Sequence, residues 1–194
     1  SWQQRNQVKS ANGPMWLTVP ILSKGKRGQL INDVEIDTTR NFQTAHIASI
    51  ENNYKKSPYF SEYSPELFSL LEKGHMHLSE LTVELVIWFC KVLGISTQIK
   101  YSSKMENIGT KADLLAMLCG QVDATEYVSA PGSREYLEQS DAFEKIGLHV
   151  KYHEFDHPVY PQLFGDFTPY MSIVDLLFNV GPDSPSIIRK GYKK

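Results

Sequence analysis

The 194-residue sequence predicts an α/β fold: a mainly parallel sheet flanked by helices, with an N-terminal β-hairpin and a helical insert. Three observations carry this. From residue 97 onward, β-type and helix-type segments alternate in the strand–helix–strand order of a parallel sheet. Two β-rich segments near the start, "PMWLTVPIL" (14–22) and "QLINDVEI" (29–36), flank the glycine-containing "SKGKRG" as strands flank a hairpin loop. Between these regions apolar residues recur at helical spacing.

Element by element, Phe42, Ala45, Ile47, Ile50 and Tyr54 share a helical period. Pro58 ends that helix and Pro65 opens a short one carrying Leu67, Phe68, Leu70 and Leu71. "LSELTVELVIWFCKVLG" (78–94) is apolar around most of its circumference and ends at a C-capping glycine, Gly94. Such a helix belongs in the middle of a domain. "TQIKYS" (97–102) reads as a strand, and "TKADLLAMLCG" (110–120) as a helix with Thr110 and Asp113 at capping-box spacing and Gly120 as its stop. "TEYVS" (125–129) is a strand, "SDAFEKIG" (140–147) a short helix closed by Gly147, and "LHVKYHEF" (148–155) an alternating strand. After a proline-bearing connection, "SIVDLLFNVG" (172–181) is a helix. Ser172 and Asp175 repeat the capping-box spacing there, so Asp175 reads as a helix cap.

Length and composition fit one domain over residues 1–194. Twenty basic and 22 acidic residues give a net charge of −2, which argues against a dedicated nucleic-acid or anionic-membrane binder. No apolar run approaches the ~20 residues of a membrane span, so no membrane insertion is expected. Cys90 and Cys119 lie in apolar helical segments and read as reduced core residues, which points to the cytoplasm. The chain begins at Ser1 without a methionine, from which a missing N-terminal piece is expected.

Ligands bind at the carboxyl ends of parallel strands. "SAPGSRE" (129–135) stands at such an end, with Ser129 as the last strand residue. Gly132 and Ser133 can turn backbone N–H groups toward an anion, and Arg134 can clamp a phosphate or carboxylate bidentately. The competing reading is a β-turn with Pro131 and Gly132 at its centre and Arg134 in solvent, the commoner outcome for a Pro-Gly pair. Neither a P-loop nor a dinucleotide fingerprint is present.

His149, His153 and His157 recur every four residues, but on a strand that spacing spans roughly 13 Å. It is too wide for one zinc ion, so no metal site is expected. In "FDHPVYPQLFGDFTPY" (155–170), Asp156 and His157 form a candidate acid–base pair with Tyr160 and Gln162 as hydrogen-bonding neighbours. A purely structural aromatic loop is the alternative, and the residues alone do not separate the two.

Several blocks, in order along nearly the whole chain, carry a resemblance: "SWQQRNQVKSANGPMWLTVPI", "LINDVEID", "IENNYKKSPYF", "SAPGSREYL" and "HPVYPQLFGDFTPYMSIVDLLFNVG". Together they resemble the WbqC-like protein family. The family's W-x-x-R-N pattern falls on Trp2, Arg5 and Asn6, its P-G-x-R-x-Y on Pro131, Gly132, Arg134 and Tyr136, and its H-P-x-Y-x-Q on His157, Pro158, Tyr160 and Gln162. Members carry an extra N-terminal strand–turn–helix stretch of roughly 30 to 40 residues, so the resemblance implies that the first βαβ unit is absent here.

The resemblance also implies a function: transfer of a glycyl or aminoacyl group to a sugar or nucleotide-sugar in the synthesis of O-antigen or another surface polysaccharide. On that basis an anion-binding role for Arg134 is preferred to the plain turn. Arg5, Asn6 and Gln162 are expected to add polar contacts, His157 to act as general base and Tyr160 to orient the substrate. Both motif loops are expected to open on one edge of the sheet. No resident cofactor is implied beyond an activated acyl donor. The rival expectation is a non-catalytic protein that binds a nucleotide or sugar phosphate.

Overall fold

The computed structural model describes residues 2–193, with Trp2 described by its backbone alone, so the Trp2 side chain of the W-x-x-R-N pattern lies outside the described residues. Helices and two small sheets make up the fold, as an α/β chain requires. It divides into two compact units, Ser1–Ser96 with His157–Lys190, and Thr97–Asp156 with Gly191–Lys194.

In the first unit, β1 (Arg5–Ser10) and β2 (Gly13–Thr18) form an antiparallel hairpin with Ser10 opposite Gly13. The expected hairpin over 14–22 and 29–36 is therefore replaced by an earlier one. Ala11 and Asn12 make the turn, and Gly13, the first residue of β2, closes it at φ +99°, a conformation other residues rarely adopt. Pro20 has no N–H to continue the ladder. Beyond it, residues 34–36 make single bridges on either side, Ile21 to Ile36 and Glu35 to His77.

Helix α1 (Phe42–Tyr54) forms as its periodicity predicts, and Asn41 caps it by accepting from the Thr44 N–H at 3.3 Å. Helix α2 (Phe60–Glu72) runs through Pro65, which therefore does not open it. The buried face of Ser64, Leu67, Leu70 and Leu71 continues across that proline. Helix α3 (Leu78–Val92) buries Leu78, Leu81 and Trp88 but exposes Val86 and Ile87, so it is a one-faced helix and not a central one. These helices, with Val8 of β1 and Leu177 and Phe178 of α7 (Ile173–Val180), enclose one apolar core. Helix α8 (Ser184–Lys190) follows.

The second unit holds α4 (Lys111–Gly120), β3 (Glu126–Ser129), α5 (Arg134–Glu138), α6 (Ala142–Lys145) and β4 (His149–Tyr152). Strands β3 and β4 pair in parallel, Glu126 opposite His149 and Ser129 opposite Tyr152. Ala112, Ala116, Leu137, Phe143 and Leu148 form the core behind them.

Among the described residues, parallel pairing is confined to these two strands, so an extended, mainly parallel sheet is not observed. Residues 97–102, expected as a strand, are exposed and pair with nothing in a ladder. Thr110 makes no side-chain cap bond, and Gly120 is the last residue of α4 instead of its stop.

Gly181, closing α7, is held at φ +55°, and a Cβ there would lie 2.5 Å from the Tyr59 ring. Gly181→Ala therefore destabilises the chain by about 1–3 kcal/mol, measured by urea unfolding, through both strain and the clash.

Candidate functional site

The connection from His157 to Ser172 is long and irregular, and polar groups buried beneath it hold it in place. Asp175 lies on α7 three residues past its N-cap, Ser172, whose hydroxyl accepts from the Val174 N–H. The Asp175 side chain does not cap. It is 0% exposed and takes hydrogen bonds from three directions.

The Tyr54 hydroxyl donates to Oδ1 at 2.8 Å. The Tyr160 hydroxyl (2.8 Å) and the Gln162 amide (2.7 Å) donate to Oδ2. The Tyr54 oxygen also accepts from the Lys9 N–H at 2.8 Å. Both carboxylate oxygens act as acceptors, as an ionised aspartate does.

Gln162 extends the network. Its amide also donates to the Thr168 carbonyl at 3.0 Å, and its Oε1 accepts from the Thr168 N–H (2.8 Å) and from Lys9 Nζ (3.1 Å). Lys9, 2% exposed, also donates to the Asp166 carbonyl. One amide thus bridges a buried ammonium and a buried carboxylate, the arrangement that makes burial of either charge tolerable. At Val8 and Lys9 strand β1 is covered on both faces: Val8 enters the apolar core while Lys9 faces this network. The Ser172 N–H bonds the Gln7 carbonyl at 2.7 Å, joining the end of the connection to β1.

Above the network lies an aromatic group. The His157 ring stands 6.1 Å from Tyr160, 5.4 Å from Phe167 and 5.2 Å from Tyr170, centroid to centroid. Tyr170 is 71% exposed, and both it and Phe164 hold left-handed backbone, at φ +62° and +64°. Such conformations in non-glycine residues concentrate at functional sites. His157 Nδ1 is 3.0 Å from the Pro158 carbonyl. A carbonyl only accepts, so Nδ1 carries the proton, and in the neutral ring the lone pair resides on Nε2.

His157, Tyr160 and Gln162 lie in this one connection, with the His157 ring 6.1 Å from Tyr160, while the Tyr160 and Gln162 side chains, expected as hydrogen-bonding neighbours of an Asp156–His157 pair, donate to Asp175. Asp156, read as the partner of His157, has its carboxylate paired with Lys193 at 2.8 Å. Arg5 lies over the Trp16 ring at 4.4 Å, and Asn6 accepts from the Gln7 N–H at 2.8 Å, so both are engaged locally on the hairpin. Lys9, Tyr54 and Asp175 are absent from the sequence-derived set. Asp175 alone left a signal there, a carboxylate set in the apolar run "SIVDLLFNV", where an unpartnered charge is almost never found.

In the second unit, Pro131–Ser133 form a 3₁₀ turn after β3, as the turn reading holds. The buried Ser129 and the partly exposed Ser133 share a hydroxyl hydrogen bond of 2.6 Å, and Ser133 Oγ donates to the Ala130 carbonyl. A Cβ on Gly132 would meet nothing within 4 Å. Tyr136 packs against the unit's core. Arg134 is exposed, as the turn reading expects, and its guanidinium lies 4.1 Å above the Tyr152 ring and faces Glu138 (3.6 Å) and Glu154 (3.9 Å). Both separations exceed hydrogen-bonding distance, so these are loose ion pairs that an incoming bidentate anion can displace. Arg134 belongs to one unit and His157 to the other, so the single sheet edge expected to carry both loops is not part of either unit's architecture.

Fold and site define an α/β chain of two small sheets whose connection from His157 to Ser172 is anchored by a buried carboxylate and lined with aromatic rings. The chain belongs to the WbqC-like protein family, whose model matches residues 1–187. It is similar to the Mycobacterium tuberculosis "Uncharacterized protein Rv1507c", with 39% identity over 190 residues, covering 97% of this chain and 81% of the relative. No solved structure matches the chain. No helix among the described residues is long and apolar enough to cross a membrane.

Burial, reinforced by the Asp175 charge, raises the pKa of the Tyr54 and Tyr160 hydroxyls above the ordinary tyrosine value, making them weaker acids. A group with a raised folded-state pKa lends stability below its unfolded value of about 10 and loses it as pH climbs beyond. Native-state phenolate absorbance is therefore expected to leave these two tyrosines untitrated near pH 10, and stability to fall from there upward. Tyr160→Phe lessens that slope and, having lost a hydrogen bond to a charged group, costs roughly 1.5–3 kcal/mol at neutral pH in urea unfolding.

Proposed function

We propose that the chain is a group transferase that moves a glycyl- or aminoacyl-type group onto the amino group of a sugar or nucleotide-sugar during O-antigen or other surface-polysaccharide synthesis. The observation that carries this reading is the His157 imidazole, held by the Pro158 carbonyl in the tautomer that places the neutral ring's lone pair on Nε2, beside the exposed Tyr170 ring. In the step, the amine nitrogen attacks the acyl carbon and the amide bond forms. The bond to the activating group breaks, the leaving group takes the electron pair, and Nε2 accepts the amine proton. The acyl group arrives activated, as an adenylate or thioester, and this donor is the only co-reactant the step needs. Tyr160 is a positioning residue in this scheme, since its hydroxyl is committed to Asp175. The cytoplasm is the compartment this reading implies.

Arg134 is proposed to bind the phosphate or carboxylate of a substrate, with Ser133 and the Gly132 backbone beside it, exchanging its loose carboxylate pairs for the bidentate ligand. Because Arg134 and His157 lie in different units, their roles are tested separately.

His157→Ala is expected to abolish turnover of an aminoacyl donor with a nucleotide-sugar acceptor and to leave ligand binding intact; unchanged turnover removes the base from the scheme. A phosphate-bearing ligand at about a hundred times its dissociation constant is expected to stabilise the fold by roughly 2.7 kcal/mol in thermal unfolding, and Arg134→Ala to erase that gain. Saturable binding with no product from any donor would instead establish a non-catalytic nucleotide- or sugar-phosphate-binding protein.

A further inference from the structure

Helix α3 carries an apolar stripe that the core does not use. At 100° per residue, its core-facing residues Leu78, Leu81, Leu85, Trp88 and Val92 cluster on one side. Val83, Val86, Ile87 and Cys90 fall on the opposite side, at the i, i+3, i+4, i+7 spacing of a helix-packing seam. Val86 is 53% exposed and Ile87 44%, while Val83 and Cys90 are half-buried. Exposed apolar residues continue past both ends of the helix, with Met76 before it and Ile95 after it.

The charges beside the stripe indicate what it accepts. Glu80 and Glu84, toward the helix N-terminus, and Lys91, toward its C-terminus, lie on the same flank, between about 60° and 100° round from Val83. A two-fold axis perpendicular to the helix, running along the interface, brings that flank against itself in reverse order. Glu80 and Glu84 of one copy then approach Lys91 of the other, and each Met76 end meets an Ile95 end. In a parallel pairing the two-fold axis would set this flank against the partner's other flank, where Thr82 and Phe89 offer no charge to pair with. The flank is self-complementary in one orientation only, the property an isologous interface requires. Within the chain, Lys91 already pairs with Glu66 and Glu84 with Lys73 and His75, so the flanking charges set orientation more than strength.

We propose that the α3 stripe is the interface of a homodimer in which two copies of this chain pair their α3 helices antiparallel. The seam is narrow compared with a standard interface of ~800 Å² per partner, so association is reversible and dependent on concentration.

Multi-angle light scattering coupled to size exclusion, run over a hundredfold range of loading concentration on the full chain, tests this. The expected result is a mass rising from one chain toward two. The double variant Val86→Glu, Ile87→Lys remains monomeric over the whole range with an unchanged far-UV circular dichroism spectrum. The single variant Ile87→Lys, a milder change, raises the dissociation constant at least tenfold. A chain that stays monomeric at the highest loading overturns the proposal. A dimer that persists in the folded double variant does so as well, because it places the interface elsewhere.

Discussion

The carboxylate of Asp175 is the constraint around which the first unit is organised. A charge with no solvent exposure is tolerable only if its lone pairs are met by donors. Here the donors come from α1 through Tyr54 and from the irregular connection through Tyr160 and Gln162. Gln162 then ties in Lys9 of β1, 153 residues away in sequence. Three elements and a loop meet at one side chain, and none can shift without stranding a polar group in the interior. Such networks are most valuable when fully satisfied, since low surrounding polarity strengthens each bond and penalises each loss.

This anchoring allows the connection from His157 to Ser172 to be irregular without being loose. Left-handed backbone at Phe164 and Tyr170 costs on the order of 1–3 kcal/mol each. The surroundings must over-determine those conformations, and the Gln162–Thr168 pair of hydrogen bonds, with the Lys9 bond to the Asp166 carbonyl, does so between the two positions. The result is an aromatic group whose outer ring, Tyr170, stays exposed beside an imidazole of defined tautomer. Rigid support beneath an exposed, chemically capable surface is what a binding or catalytic connection needs.

The second unit shows a different balance. Its β3–turn–α5 segment has the turn that a Pro-Gly pair favours, and its arginine is folded back on Tyr152 between two carboxylates. Turn formation and anion binding were posed as alternatives from the residues, yet the turn does not prevent the second role, because neither ion pair is close enough to saturate the guanidinium. The Ser129–Ser133 hydroxyl pair fixes the turn to the end of the strand.

Local structure was largely legible in the residues. The period of α1, the glycine after α3, the serine capping α7 and the strand character of 126–129 and 149–152 all depend on neighbours within a few positions, where propensity and sterics act. Errors arose where a signal depended on a distant partner. Residues 97–102 have β-type composition but find no strand to pair with, and Pro20 ends a ladder that composition alone would prolong. Asp175 stood at ideal capping-box spacing after Ser172 and was read as a cap. Its actual role rests on Tyr54, 121 residues earlier, and, through Gln162, on the buried Lys9 of β1, a strand that the residues alone did not suggest. The sequence determined the helical periods of α1 and α3, the cap of α7, the strand character of β3 and β4 and which residue types the connection contains. Folding settled which polar side chains are buried together, because hydrogen bonds across more than a hundred residues follow from packing geometry and leave no periodic trace in the chain.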